Sequence, residues 1–174
     1  MIFGNSQDFA IEAYHEPSGP KWDGFGRLCL YIQGKQLGDI GSDHCSLFHV
    51  TDRFRKLSEL FLEIQRDSCL GILWDESFAS LSDKEIFDRV NEALFVGEPS
   101  EDSAQFSNFD FLTNTGEMFN GVKTFIACRP DGHVLILYEF GNGTFGSGSC
   151  LIEVFTAIAN SYLRWFDEQI SSKT

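Results

Sequence analysis

The sequence predicts an α+β fold, a mostly antiparallel sheet with about three helices packed on it. Three observations carry that expectation. Period-2 apolar patterns open the chain and recur at 121–140. Helical periodicity fills three separate stretches. The order of strands, helices, hairpin and final helix is neither a βαβ alternation nor an all-β run. At 174 residues the chain is long enough to bury its own core. No repeat or linker divides it, so residues 1–174 are read as a single domain.

Residues 9–14 alternate as a strand, and turn chemistry at 15–20 ends it. Residues 27–33 form a second strand. Leu28, Leu30 and Ile32 share one face, Cys29 and Tyr31 the other, as in a central strand covered on both sides. Gly34-Lys35 is a tight turn into a short strand at 36–40. The period then changes. Phe54, Leu57, Phe61 and Ile64 predict a helix over 52–68, capped by Thr51 or Asp52. Residues 70–74 read as a short strand or a buried connection.

In Leu81-Ser82-Asp83-Lys84-Glu85-Ile86, Ser82 and Glu85 have the spacing of a capping box, and Leu81 and Ile86 that of a hydrophobic staple. This helix runs to about Phe95, buries Ile86, Val90, Ala93 and Leu94, and stops at Gly97 and Pro99. Residues 98–105 read as an acidic loop, 106–112 and 121–128 as strands, with turns at Asn114, Gly116 and Asn120-Gly121. Arg129-Pro130-Asp131-Gly132 is a hairpin turn. Residues 133–140 return as a central strand. Residues 141–148 are read as a glycine-rich loop, and 151–170 as a well-buried helix with a wide apolar stripe.

The net charge is −13. Binding phosphates takes clustered Lys and Arg, so nucleic acid is excluded as a partner. The charge is also uneven. Residues 67–122 carry twelve Asp and Glu against Lys84 and Arg89, a net −10, and no basic residue falls from Val90 to Val122. Such a segment is either a solvated face or a docking surface for a cationic partner. The 18 Phe fit an aromatic core. The five Cys are widely spaced and mostly flanked by apolar residues, which reads as buried thiols in a reducing compartment rather than a disulfide framework. No apolar run approaches the roughly 18 residues that span a membrane. The N-terminus lacks the basic and apolar regions of a signal peptide. The expected location is the cytoplasm.

Catalytic and cofactor constellations fail on context. Gly141-Asn142-Gly143-Thr144-Phe145-Gly146 matches G-x-G-x-x-G between a strand and a helix. A dinucleotide site needs a further parallel strand bearing an acidic residue, and none follows; no Lys follows to make a P-loop. Asp43-His44-Cys45 with His49 is the one tight group of ligand types, but it lacks zinc-site spacing and a second half. Cys45 and His49 as a nucleophile pair have no orienting group. No cofactor or metal is expected. The first reading is a non-enzymatic domain that binds another protein. The second is a small ligand-binding or enzymatic domain using loop 141–148, and the third an adaptor domain.

Met1-Ile2-Phe3-Gly4-Asn5, Phe9-Ala10-Ile11-Glu12, Gly26-Arg27-Leu28-Cys29-Leu30-Tyr31-Ile32-Gln33-Gly34 and Leu37-Gly38-Asp39 together resemble the immunity proteins of bacterial contact-dependent inhibition and related polymorphic toxin systems. The resemblance implies a small cytoplasmic protein that binds the toxic C-terminal domain of a toxin delivered by a neighbouring cell and blocks it. Many such toxins are nucleases with basic surfaces, which an acidic inhibitor can cover where nucleic acid would lie. The family has no shared catalytic residues. On this reading the partner-binding surface lies in 67–122. Asp75, Glu76, Glu98, Glu101, Asp102 and Asp110 supply charge, and Trp74 or Phe109 an aromatic anchor. The partner is the cognate toxin domain, neither nucleic acid nor a membrane.

The purified protein is expected to show no hydrolytic, nuclease or redox turnover. Activity that tracks the protein through purification and disappears in Cys45→Ala or His49→Ala would refute this.

Overall fold

Two tight turns set the order of the N-terminal sheet. In the computed structural model, which describes residues 1–16, 24–41, 45–67, 73–96, 101–113, 115 and 117–171, strands β1 (Ile2–Gly4), β2 (Phe9–His15), β3 (Phe25–Ile32) and β4 (Lys35–Leu37) lie side by side, with β5 (Cys45–Ser46) also on β3. All pairs are antiparallel, and β2 runs against β3 from Phe9↔Ile32 to His15↔Gly26. The β3–β4 turn falls one residue earlier than expected, on Gln33 and Gly34. Their φ values of 48° and 79° supply the twist that a two-residue hairpin requires, and the following strand is correspondingly 35–37 rather than 36–40.

The second sheet is β6 (Val122–Cys128), β7 (His133–Phe140) and β8 (Phe145–Leu151), in that order and antiparallel. The β6–β7 hairpin turns on Arg129–Gly132 as expected, with Gly132 at φ 81°. The glycine-rich loop does not form: residues 141–144 are a turn, and 145–151 are edge strand β8. A Cβ on Gly146 would stand 2.4 Å from the Tyr138 ring, and one on Gly148 2.3 Å from Ile32. These glycines serve close packing, not a phosphate cradle.

Helix α1 (Phe48–Asp67) starts four residues before the predicted start. Thr51 is therefore inside the first turn, and its buried hydroxyl lies 2.7 Å from that of Tyr162 in the core. A 3₁₀ turn, Glu76–Ser80, leads to α2 (Asp83–Asn91). Its capping box is present: the Glu85 carboxylate accepts the Ser82 N–H at 2.8 Å, and the Ser82 hydroxyl accepts the Glu85 N–H at 3.4 Å. A π-helical turn, Glu92–Val96, extends α2 to the predicted end. Residues 98–105 are not simply a loop, because Glu101–Phe106 forms α3.

Residues 106–112 are not a strand either. Phe106 and Phe109 fall at a three-residue spacing on a 3₁₀ turn, Ser107–Phe109, and both face a core; only Asp110 bridges to Phe125. Asn114 and Gly116 lie outside the described residues, as do 68–72 of the expected 70–74 connection. Helix α4 (Ile152–Ser171) begins after Leu151, which ends β8 and is exposed.

The inner faces of both sheets share one core with α1 and α4. Period-2 alternation then gives the second sheet another buried face. Phe125, Ala127, Leu135 and Leu137 point away from that core and pack with Phe78, Ile86, Phe87, Val90, Phe106 and Phe109 in a separate cluster. This is why β7 is apolar on both sides. In the main core the Phe155 ring lies 4.9 Å from Phe9, 6.1 Å from Phe54, 5.1 Å from Phe61 and 6.2 Å from Phe111.

Phe155→Ala should cost about 3–5 kcal/mol in denaturant unfolding, the range for truncating a fully buried ring. Phe95→Ala, at an exposed ring, should cost no more than about 1 kcal/mol. Equal losses would show that Phe155 does not join these elements.

Candidate functional site

Helix α2 lays the second cluster against the sheet with one face and shows the other to solvent. Ile86, Phe87 and Val90 are buried; Glu85, Asp88 and Glu92 are exposed at helical spacing. Both basic residues of the helix are committed locally. Lys84 pairs with Asp88, lies 3.8 Å from Glu139, and stands 5.4 and 5.6 Å from the Phe87 and Phe145 ring centres. The Arg89 guanidinium lies 5.8 Å from the Phe106 ring. Such cation–π seats draw a cation onto the surface beneath it and leave the outer face dominated by carboxylate.

The π turn ends this face with two apolar residues, Phe95 at 45% and Val96 at 68% exposure. Phe95 stacks on Phe125 at 6.2 Å, and the Lys123 ammonium lies 5.6 Å from its ring centre. Sequence reasoning missed this pair. The signal was present, since Asp88, Glu92 and Phe95 fall at i, i+4 and i+7, so a large apolar residue interrupts the polar stripe.

The residues singled out from sequence do not form one patch. Trp74 is half-buried and meets Phe78 edge-on at 5.7 Å. Asp75 caps the 3₁₀ turn by accepting the Ser77 N–H at 2.8 Å, and Glu76 is exposed beside it. Phe109 is a correction. At 3% exposure it is a core ring, 5.5 Å from both Phe78 and Phe106, and cannot anchor a partner from the surface. Asp110 is half-buried near α1, where burial pushes its carboxyl above the ordinary range. Arg53 donates to the backbone carbonyls of Asp110 and, at 2.7 Å, Asn108, so this segment is pinned to α1. Glu101 and Asp102 belong to α3, which Ser103 ties to the end of α2 by donating to the Ala93 carbonyl at 2.7 Å. Glu98 lies outside the described residues.

Several described groups with catalytic chemistry are hydrogen-bonded or buried. On the outer face of the first sheet, Glu12 accepts hydrogen bonds from Tyr14 at 2.5 Å and Tyr31 at 2.7 Å, with the Cys29 thiol at 3.8 Å. The Tyr14 bond leads in holding the Glu12 carboxyl below its ordinary range, against the opposing effect of burial. The same bonds raise both phenols. Burial pushes the thiols up, to about 12 for Cys29 and Cys150 and about 11 for Cys128, so they stay protonated and poorly nucleophilic at neutral pH. Asp43 and His44 lie outside the described residues; among those described, no three His, Cys, Asp or Glu side chains group as a metal site would require. Among the same residues, no helix is long and apolar enough to cross a membrane.

The sequence model of the immunity protein 42 family matches residues 1–165. The chain belongs to that family. Its fold is also that of a CdiI protein from Burkholderia dolosa AUO158, known from a crystal structure. The two superpose with a TM-score of 0.63 over 95% of this chain and 99% of that one, at 18% identity. No curated protein matches it in sequence. Family membership makes this an immunity protein of a bacterial toxin system, and the α2 face is its candidate contact surface.

Glu12→Gln should lower stability at neutral pH by about 1.5–3 kcal/mol, the worth of hydrogen bonds to a charged acceptor. Because the folded carboxyl titrates below its unfolded value, its contribution is complete above the ordinary glutamate range and is lost as pH falls through the depressed value. The gap between variant and wild-type melting temperatures should therefore close on acidification. A gap independent of pH would contradict the assignment.

Proposed function

We propose that this immunity protein neutralises its cognate toxin domain without catalysis, by covering the active site of a nuclease-type toxin with a basic surface, and that the cover is the outer face of α2. One observation carries the reading. Within the acidic segment, the structure turns Glu85, Asp88 and Glu92 outward, keeps Lys84 and Arg89 occupied, and ends the stripe with exposed Phe95 and Val96. A carboxylate rim speeds encounter and selects partners, while apolar residues shielded from water hold the complex. The neighbouring charges of Glu98, Glu101 and Asp102 extend the same sign along the chain. The proposed setting is the cytoplasm, where an incoming toxin would act.

The reading built on loop 141–148 loses its loop to strand β8. What favours the interface reading is a surface that combines charge with exposed apolar residues.

Binding to the cognate toxin domain should show this division of labour. Association should slow steeply between about 0.05 and 0.5 M salt as screening shortens below 10 Å. Reversal of Asp88 and Glu92 to Lys should lower the association rate, and Phe95→Ser with Val96→Ser should raise the dissociation rate, with a loss of roughly 2 kcal/mol or more. Reversal at Glu101 and Asp102 should act on association in the same direction. Unchanged affinity and salt dependence in all three variants would sink the assignment of this face.

A further inference from the structure

Beside the N-terminal end of α2 lies a groove of about 340 Å³. Trp74, Leu81, Ile86 and Pro130 give it apolar walls. Its rim is acidic. Asp131, whose side chain is 63% exposed, lies at one edge; its carboxylate accepts the His133 N–H at 3.1 Å. Asp83 lies beside the groove and holds Arg129, one of its lining residues, at 2.6 Å. Glu76 is exposed on the 3₁₀ turn that forms the neighbouring wall. Among the described residues that line the groove, the one Lys or Arg, Arg129, is thus already neutralised by Asp83, while the Asp131 carboxylate remains at the rim.

We propose that this groove receives one cationic side chain with a long aliphatic stem, an arginine or lysine of the toxin domain. The proposal rests on the immunity reading above and names a contact within it. The apolar walls match a stem of three or four methylenes, and the indole face and the Asp131 carboxylate match its charged end. An aromatic or aliphatic guest would suit the walls, but it would draw water away from the Asp131 carboxylate without bringing it a cation, a costly arrangement. Arg129 shows the favourable alternative within the same groove, a guanidinium held by the Asp83 carboxylate beside apolar surface. The groove lies by the start of α2, and the Phe95–Val96 pair lies on the π turn that follows its end.

Two surface variants test this without disturbing the core. Ala79→Arg, at an exposed groove position, fills the groove with the protein's own cation, and Asp131→Asn removes the rim charge. Against the cognate toxin domain, Ala79→Arg should weaken affinity at least tenfold and Asp131→Asn three- to tenfold, with unchanged melting temperatures. Wild-type affinity in both variants overturns the groove proposal and leaves the immunity reading standing. Wild-type protein that fails to bind the toxin domain overturns both. In a second arm without toxin, N-acetyl-arginine amide should move the Trp74 indole N–H resonance, identified by its loss in Trp74→Phe, further than N-acetyl-norleucine amide does. An equal response, or none, overturns the cationic assignment.

Discussion

Four aromatic rings from three parts of the chain converge on Phe155 in α4. Phe9 brings the first sheet, Phe54 and Phe61 bring α1, and Phe111 brings the segment that leads into the second sheet. Each contact joins residues far apart in sequence, so the ring closes long loops at one point. The Thr51–Tyr162 hydrogen bond fixes the same two helices against each other one step along. With α4 held in this way, the second sheet has one face committed to the main core, and its other face is available for α2.

Much of this was legible in the sequence because it depends on local rules. The Ser82–Glu85 box and the Pro130–Gly132 turn are short-range chemistry, and both appear where the residues place them. The apolar run of β7 correctly announced a strand buried on both sides. What failed depended on partners distant in sequence. Phe106 and Phe109 read as strand residues because aromatic rings favour strands; their three-residue spacing is helical, and the cluster around Phe78 decides between the two. The glycines of 141–148 read as flexibility, since nothing local reveals the Tyr138 ring above Gly146 or Ile32 against Gly148. β1 and β5 went unread because three- and two-residue strands carry too little pattern.

The candidate surface shows the same limit. Its charge was visible as a run of acids, but a run does not say which acids share a face. Folding sorted the described ones: Asp110 was half-buried with its backbone carbonyl on Arg53, Asp75 became a cap, Phe109 became core, and Glu85, Asp88 and Glu92 of α2 face outward. The exposed ring of Phe95 was overlooked for the same reason, being counted as the end of a helix rather than as a member of its polar side.

The second cluster has a consequence for how such a protein can diverge. Phe78, Phe87, Phe106, Phe109 and the outer face of β6 and β7 form a core of their own beneath α2, apart from the one organised by Phe155. Substitutions on the exposed side of α2, or small repackings beneath it, leave the larger core untouched. On the proposed contact surface, recognition and foldedness fall in separate compartments of one chain, and the outer layer can be redrawn while the scaffold beneath it holds.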